Sequence, residues 1–236
     1  MKYALITGAS RGIGRSVALL LAERYSIIIN YQSNVEAAQA VKQEIETKGG
    51  HVELLPFDVS DPKAIEAAID TWEASHPDEF ISVLVNNAGI PGDMEVASYE
   101  SELKDVIDTV QVNYVGTFCL TKALTPLLSA NKGRIVNITV PSEVSPYWHP
   151  MAYVASKAAQ NAMTSIMAME FEKNNIPVEI FNIHPGATTT DLNNHYTGPG
   201  SHSIDVVSEK IAEVINDGEK HQGEFVELYP IVDEGR

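Results

Sequence analysis

One stretch, Tyr3-Ala4-Leu5-Ile6-Thr7-Gly8-Ala9-Ser10-Arg11-Gly12-Ile13-Gly14, constrains this chain more than any other. Residues 3–7 are a short apolar run rich in strand formers. The run breaks at Gly8, and a helical pattern starts from Ile13. A strand, a glycine-rich turn and a helix bring backbone N–H groups and a helix N-terminus to bear on a phosphate. Gly8 permits a tight turn with positive φ. Gly12 leaves room for the backbone to approach a pyrophosphate, and Gly14 lets the helix pack close to the strand. Ser10, Arg11 and Ile13 complete the turn and share its candidate binding role. A buried first strand followed at once by this G-x-x-x-G-x-G turn opens a doubly wound sheet.

The rest of the chain keeps the alternation. Helical patterns are expected over residues 12–24, 34–48, 99–129, 151–173 and 203–217, with another opening at Asp61-Pro62, and strands over 26–30, 51–57, 81–85, 133–139, 177–183 and 223–229. Asn34 and the Asp61-Pro62 pair supply helix starts. Residues 26–30 are too continuously apolar for a half-exposed strand and read as a buried parallel one. No linker or repeat divides the chain. The expected fold is α/β: a single-domain Rossmann fold over residues 1–236, with a parallel sheet of about seven strands and helices on both faces. Ligands of such sheets sit outside the C-terminal strand ends. Small and polar residues gather at each of those ends. They are Gly8 to Gly14 after the first strand, Tyr31, Gln32 and Ser33 after the second, and Asp58 and Val59 after the third. Asn87, Ala88 and Gly89 follow the fourth, residues 140–149 the fifth, and Pro185, Gly186, Thr188 and Thr190 the sixth.

Net charge is −16, from 16 basic and 32 acidic residues, so the surface should repel nucleic acid and anionic membrane. The single cysteine, Cys119, cannot form an internal disulfide. Lys2 and the first strand follow Met1 directly, which leaves no room for a signal peptide, and no apolar run reaches the ~18 residues of a membrane span. A cytoplasmic protein is expected. No cluster of His, Cys and carboxylates has metal-ligand spacing, so no metal is expected.

Tyr153 and Lys157 lie four apart on the Ala-rich helix and therefore share a face. A phenol near pKa ~10 is a poor base at neutral pH. A neighbouring Lys⁺, helped by an oxidised nicotinamide, favours the phenolate. At this point the sequence resembles the classical short-chain dehydrogenase/reductase family. The resemblance rests on Thr7-Gly8-x-x-x-Gly12-x-Gly14, Asp58, Asn86-Asn87-Ala88-Gly89, Asn113, Tyr153-x-x-x-Lys157 and Pro185-Gly186 with Thr190. These occur in family order over roughly residues 1–195. Residues 30–34 look like the 3-oxoacyl-carrier-protein reductase branch. The resemblance implies hydride transfer between NAD(P) and a small carbonyl or alcohol substrate. Tyr153 would be the general acid/base. Lys157 would hold the nicotinamide ribose and lower the Tyr pKa, and Asn113 would hold a water in a proton relay.

One departure matters. The family places a catalytic Ser thirteen residues before the Tyr, and here that position is Val140. Thr139 should point to the opposite face. Ser142 has the right parity but would lie about 6–7 Å further along an extended chain, unless Pro141 bends it back. Either Ser142 is the substitute donor, or it is a loop residue and the site lacks the hydroxyl. Losing one oxyanion donor typically costs ~10²–10³ in rate, roughly 2.7–4 kcal/mol. The alternative function is therefore a dinucleotide-binding sensor or structural subunit with weak turnover. Residues 188–202 suggest an open or small lid, with His195 and His202 on its surface, and Pro146-Tyr147-Trp148-His149 should lie near the substrate.

Two further expectations concern the cofactor and assembly. NAD specificity usually needs a carboxylate after the second strand, and residues 31–33 carry none, whereas Arg11 could meet a 2′-phosphate. NADP(H) is therefore preferred, with NAD possible. Helix 151–173 is rich in small residues, and the resemblance implies that it pairs with the helix near 111–129 across a two-fold axis, giving a homodimer or homotetramer.

Overall fold

The computed structural model describes residues 1–143 and 150–229. Seven strands are β1 (Lys2–Ile6), β2 (Ser26–Tyr31), β3 (Val52–Pro56), β4 (Phe80–Asn86), β5 (Arg134–Ile138), β6 (Glu179–His184) and β7 (Phe225–Glu227). They form one parallel sheet in the order β3-β2-β1-β4-β5-β6-β7. The order reverses between β1 and β4, which opens the crevice at their C-terminal ends.

The helices are α1 (Gly12–Leu21), α2 (Val35–Thr47), α3 (Pro62–Ser75), α4 (Leu103–Val110), α5 (Thr117–Ala130), α6 (Met151–Lys173) and α7 (Ile204–Asn216). Successive strand residues feed opposite faces of the sheet. Ala4, Ile6, Ile27 and Ile29 pack with Val17, Ala18 and Leu21 of α1, Val41 and Ile45 of α2, and Val207 and Ile211 of α7. Tyr3, Leu5 and Ile28 pack with Ile65 and Trp72 of α3, Leu120, Leu124 and Leu128 of α5, and Phe171 of α6. Burying each large apolar side chain contributes ~1.5–3 kcal/mol, so the sheet is held from both sides. The expected helix starts are present. Asn34 Oδ1 accepts from Ala37 N–H at 3.0 Å, and Asp61 Oδ1 accepts from Lys63 N–H at 2.9 Å, with Pro62 opening the first turn.

The region 99–129 differs from the continuous helix expected. A 3₁₀ turn at Ser98–Glu100 precedes α4, and the π-helical segment Gln111–Gly116 separates α4 from α5. At Gly116 a Cβ would lie 2.2 Å from the Val59 carbonyl, so this segment is pressed against the loop after β3. The widened turn brings Asn113 inward, where it is fully buried. The first helix also stops at Leu21 and the last strand is shorter than the pattern suggested.

Candidate active site

The crevice is built by ties between strand ends. Thr7 Oγ1, just beyond β1, accepts from the N–H groups of Asn87 and Ala88, each at 2.9 Å. Asn87 Nδ2 returns a bond to the Thr7 carbonyl at 2.9 Å. Asn30, at the end of β2, accepts from Gly8 N–H at 3.4 Å and donates to Phe57 O at 3.0 Å, which links the ends of β1, β2 and β3. Gly8 has φ +63°. A Cβ on Gly14 would lie 2.5 Å from Asn87 Nδ2 and 2.7 Å from Gly8 O, so only glycine lets α1 approach this closely. At Gly12, with φ +57°, nothing among the described residues lies within 4 Å of the Cβ position. The N-terminus of α1 therefore opens onto free space, which the pyrophosphate of a dinucleotide fits. Ser10 and Ile13 flank that opening, half-buried.

Around this opening the other sequence-expected residues take their places. Tyr31 is buried, and Gln32 and Ser33 are exposed at the end of β2. Gln32 Nε2 donates to Asp58 Oδ2 at 2.7 Å, and Asp58 Oδ1 accepts from Ser60 N–H at 2.8 Å. Burial alone would raise the Asp58 pKa, but the Ser60 and Gln32 bonds outweigh it and hold the carboxylate below its ordinary value. Beyond β6, Pro185 leads into Gly186, whose φ is +75°. Thr188 is buried and bridges to His202, and Thr190 closes a capping box with Asn193. The segment after β6 touches the glycine turn through an exposed ion pair. Arg11 pairs with Asp191 at 2.8 Å, and His195 joins the same carboxylate at 3.0 Å. His202 stacks on Tyr229 with ring centres 3.6 Å apart. A cavity of about 430 Å³ lies between Gly12, Arg15 and Ser16 on one side and Thr189, Ser201 and His202 on the other.

Tyr153 and Lys157 are both buried on α6. Lys157 Nζ donates to Ile138 O at 2.8 Å and Gln160 Oε1 at 3.0 Å, and lies 5.8 Å from the centre of the Tyr153 ring. Asn113 binds Ile90 through both ends of its amide, accepting from N–H at 2.8 Å and donating to C=O at 2.9 Å. Its Nδ2 also donates to Ser156 Oγ at 3.0 Å, which joins the π-helical segment to the Tyr–Lys helix. Gly89 faces the same point, since a Cβ there would lie 3.2 Å from Asn113 Oδ1 and 3.9 Å from Lys157 Nζ. Burial pushes the Tyr153 phenol up and pulls Lys157 down to about 7. Desolvation disfavours the charged form of both groups.

At the Val140 departure, Thr139 points into the interface with α6, where its Oγ1 donates to Asn161 Oδ1 at 2.8 Å. Asn161 Nδ2 donates to Val140 O at 2.9 Å and Ser142 Oγ at 3.1 Å. Asn161 lies eight residues past Tyr153, about 12 Å along the helix axis. The tyrosine side chain leans toward the helix N-terminus. The structure thus brings Tyr153, Lys157, Asn113 and Gly89 together, and holds Ser142 on Asn161. Pro146-Tyr147-Trp148-His149 lie outside the described residues.

Sequence reasoning missed a buried polar ladder. Asn86, Asn137 and Asn182 are partners in register on β4, β5 and β6. Asn86 Nδ2 donates to Asn137 Oδ1 at 2.8 Å, Asn137 Nδ2 to Thr164 Oγ1 at 2.9 Å, and Thr164 Oγ1 to Asn182 Oδ1 at 2.8 Å. An amide recurring near the end of three apolar strands was the available signal. Gln160, Asn161 and Asn30 were missed as well, each a lone amide in a helix or strand pattern. Among the described residues no group of His, Cys, Asp and Glu could hold a metal, and no helix is long and apolar enough to cross a membrane.

Comparisons with known proteins agree with this geometry. The model of the short chain dehydrogenase family matches residues 2–198. The chain is 39% identical over 196 residues to the 3-oxoacyl-[acyl-carrier-protein] reductase FabG of Staphylococcus aureus, covering 81% of this chain and 76% of the relative. It is 34% identical over 218 residues to the uncharacterized oxidoreductase YgfF of Escherichia coli, covering 89% and 85%. A short chain dehydrogenase from Burkholderia cenocepacia, solved in complex with NADP, superposes with a TM-score of 0.84 at 28% identity, covering 96% of this chain and 95% of the other. The chain belongs to the short-chain dehydrogenase family and is an NAD(P)-dependent oxidoreductase acting between CH–OH and C=O groups.

Proposed function

We propose that this protein reduces a small carbonyl compound with NADPH, with Tyr153 as the general acid. The observation that carries the reading is the buried Tyr153–Lys157 pair, set beside Asn113 and Gly89 at the switch point. When bound, the dinucleotide supplies or accepts the hydride. Gly8, Ser10, Arg11, Gly12, Ile13 and Gly14 would hold its pyrophosphate, and Asn87, Ala88, Gly89, Pro185, Gly186, Thr188 and Thr190 would line its nicotinamide half. Tyr31, Gln32, Ser33, Asp58 and Val59 would line its adenine half. Tyr153 keeps its proton at neutral pH because burial raises its pKa, and so can deliver it to a substrate oxygen. Lys157 would hold the ribose and, as a cation, favour the phenolate left behind. Asn113 would anchor a water for proton return.

Preference for NADP(H) over NAD(H) follows from the lack of an acid at residues 31–33 and from exposed Arg11 at the glycine turn. The NADP complex of the Burkholderia relative supports it. The protein would act as one domain, in the cytoplasm, as a homodimer or homotetramer. A second reading, dinucleotide binding with weak turnover, is favoured by Val140 and by the tie of Ser142 to Asn161. NADPH oxidation with a panel of aldehydes and ketones separates the two. Turnover that is lost in Tyr153→Phe supports the enzyme, and no turnover with any carbonyl despite NADPH binding supports the binder.

A further inference from the structure

Gln160 lies three residues beyond Lys157 on α6 and is completely buried. Its Oε1 accepts from Lys157 Nζ at 3.0 Å, while its Nε2 is buried with no hydrogen-bond partner among the described residues. Turning the amide over would aim two N–H donors at an ammonium, so Lys157 fixes which way it faces. The orphaned donor is the consequence of keeping the oxygen on the lysine. For packing alone, an apolar side chain of the same volume would fill this place with no orphan.

We propose that Gln160 is a positioning residue for Lys157: with the Ile138 carbonyl it forms a two-acceptor seat that keeps the ammonium charged and aimed beside Tyr153. This rests on the Tyr153–Lys157 reading above. The other neighbours of Nζ do not supply that seat. From the end of β4 it meets Gly89, and from the π-helical segment Asn113 lies alongside. From its own helix it meets Tyr153, the one titratable side chain facing it among the described residues. Burial pulls Lys157 down, and among the described residues no carboxylate bonds to its ammonium to offset it. With that group brought to about 7, its charge at neutral pH depends on bonds to the charged form.

The test uses the cofactor-free protein with ¹³C-labelled lysine, following the Lys157 Cε resonance against pH. The resonance is assigned by its loss in Lys157→Met. Gln160→Met keeps the volume and removes the acceptor. Gln160→Glu keeps the shape and adds a negative charge. The expected result is a titration midpoint lower by about one pH unit in Gln160→Met and higher by about one unit or more in Gln160→Glu. The corresponding limb of the kcat profile should move the same way in each. A residue that only packs would move the two midpoints in one direction or not at all, and either outcome overturns the proposal. Thermal unfolding checks that both variants fold. If one does not, the sign of the shift in the other decides. Loss of the parent reading would show separately, as full activity in Tyr153→Phe, and would leave the lysine titration untouched.

Discussion

Asn161 donates to the Ser142 hydroxyl at 3.1 Å and so ties the chain after β5 to α6 two turns past Tyr153. The same amide is held on Val140 O and Thr139 Oγ1, so the Ser142 hydroxyl is already engaged by a structural partner. Ser142→Ala is therefore expected to change carbonyl reduction by less than about tenfold, where loss of a true oxyanion donor would give ~10²-fold or more. Val140→Ser restores a hydroxyl at the family position and should accelerate reduction. Steady-state rates for the two variants against wild type decide, and a ~10²-fold loss in Ser142→Ala would return the donor role to Ser142.

Tyr153→Phe keeps the buried ring and removes only the hydroxyl. Reduction should be abolished while NADPH binding stays nearly intact. Lys157→Ala should weaken both, since Nζ is expected to reach the ribose as well as the phenol. Fluorescence titration with NADPH beside turnover measurements separates the two effects. Equal loss of binding in both variants would mean that Tyr153 holds cofactor rather than a proton.

Arg11 and Asp191 form an exposed pair, with side chains 73% and 49% exposed, and such pairs contribute only ~0–1 kcal/mol. A 2′-phosphate should therefore displace Asp191 from the guanidinium with little penalty. Arg11→Ala is expected to weaken NADPH binding much more than NADH binding. Asp191→Asn frees Arg11 and should tighten NADPH by up to about fivefold. Calorimetric titration with both nucleotides measures this, and tighter NADH than NADPH binding by the wild type would remove the argument for NADP(H).

The fold was legible because burial repeats a simple pattern. Residues 26–30 read as a fully buried strand, and β2 is buried along its whole length. Gly8 and Gly14 were legible because a positive φ and a backbone contact leave few alternatives to glycine. The break at Gln111–Gly116 was not: at Gly116 the segment lies against the Val59 carbonyl, a contact across the fold that local propensity does not show. The burial that pushes Tyr153 up and Lys157 down was hidden for a similar reason: helical spacing shows that two groups are near each other but not how dry they are. Gln160 and Asn161 look in sequence like ordinary polar helix residues. Only the packing of α6 on β5 and β6 turns them toward Lys157 and Ser142.

His221 sits between two carboxylates, with Nδ1 2.7 Å from Glu224 and Nε2 2.8 Å from Asp217. Burial pulls its pKa down, but the two acids outweigh that and leave it raised above 6.5. A raised folded-state pKa stabilises the fold fully below the unfolded value, and the benefit is lost as pH rises through the folded one. Urea midpoints should accordingly fall between about pH 6.5 and the raised folded value, through this residue. His221→Gln should flatten that dependence. A wild-type midpoint that rises over the same window without flattening in the variant would contradict it.

Assembly is the last expectation. Leu103 and Ile107 of α4, Phe118 of α5, and Ile166 and Met169 of α6 are exposed large apolar side chains. Ile166 and Met169, at 51% and 64% exposed, are three apart and so share one face of α6. Apolar groups gathered on neighbouring elements mark an interaction surface more often than chance exposure does. A two-fold axis would pair this face with itself, each copy covering the other's α4, α5 and α6. Light scattering should give a mass of at least two chains of 25.7 kDa. Ile166→Glu with Met169→Glu places charges on both sides of the axis, where they would face like charges on the partner copy, and should yield a folded monomer. If wild type is already a 25.7 kDa monomer at micromolar concentration, the assembly expectation fails. If the double variant retains the oligomeric mass, the interface lies on another face.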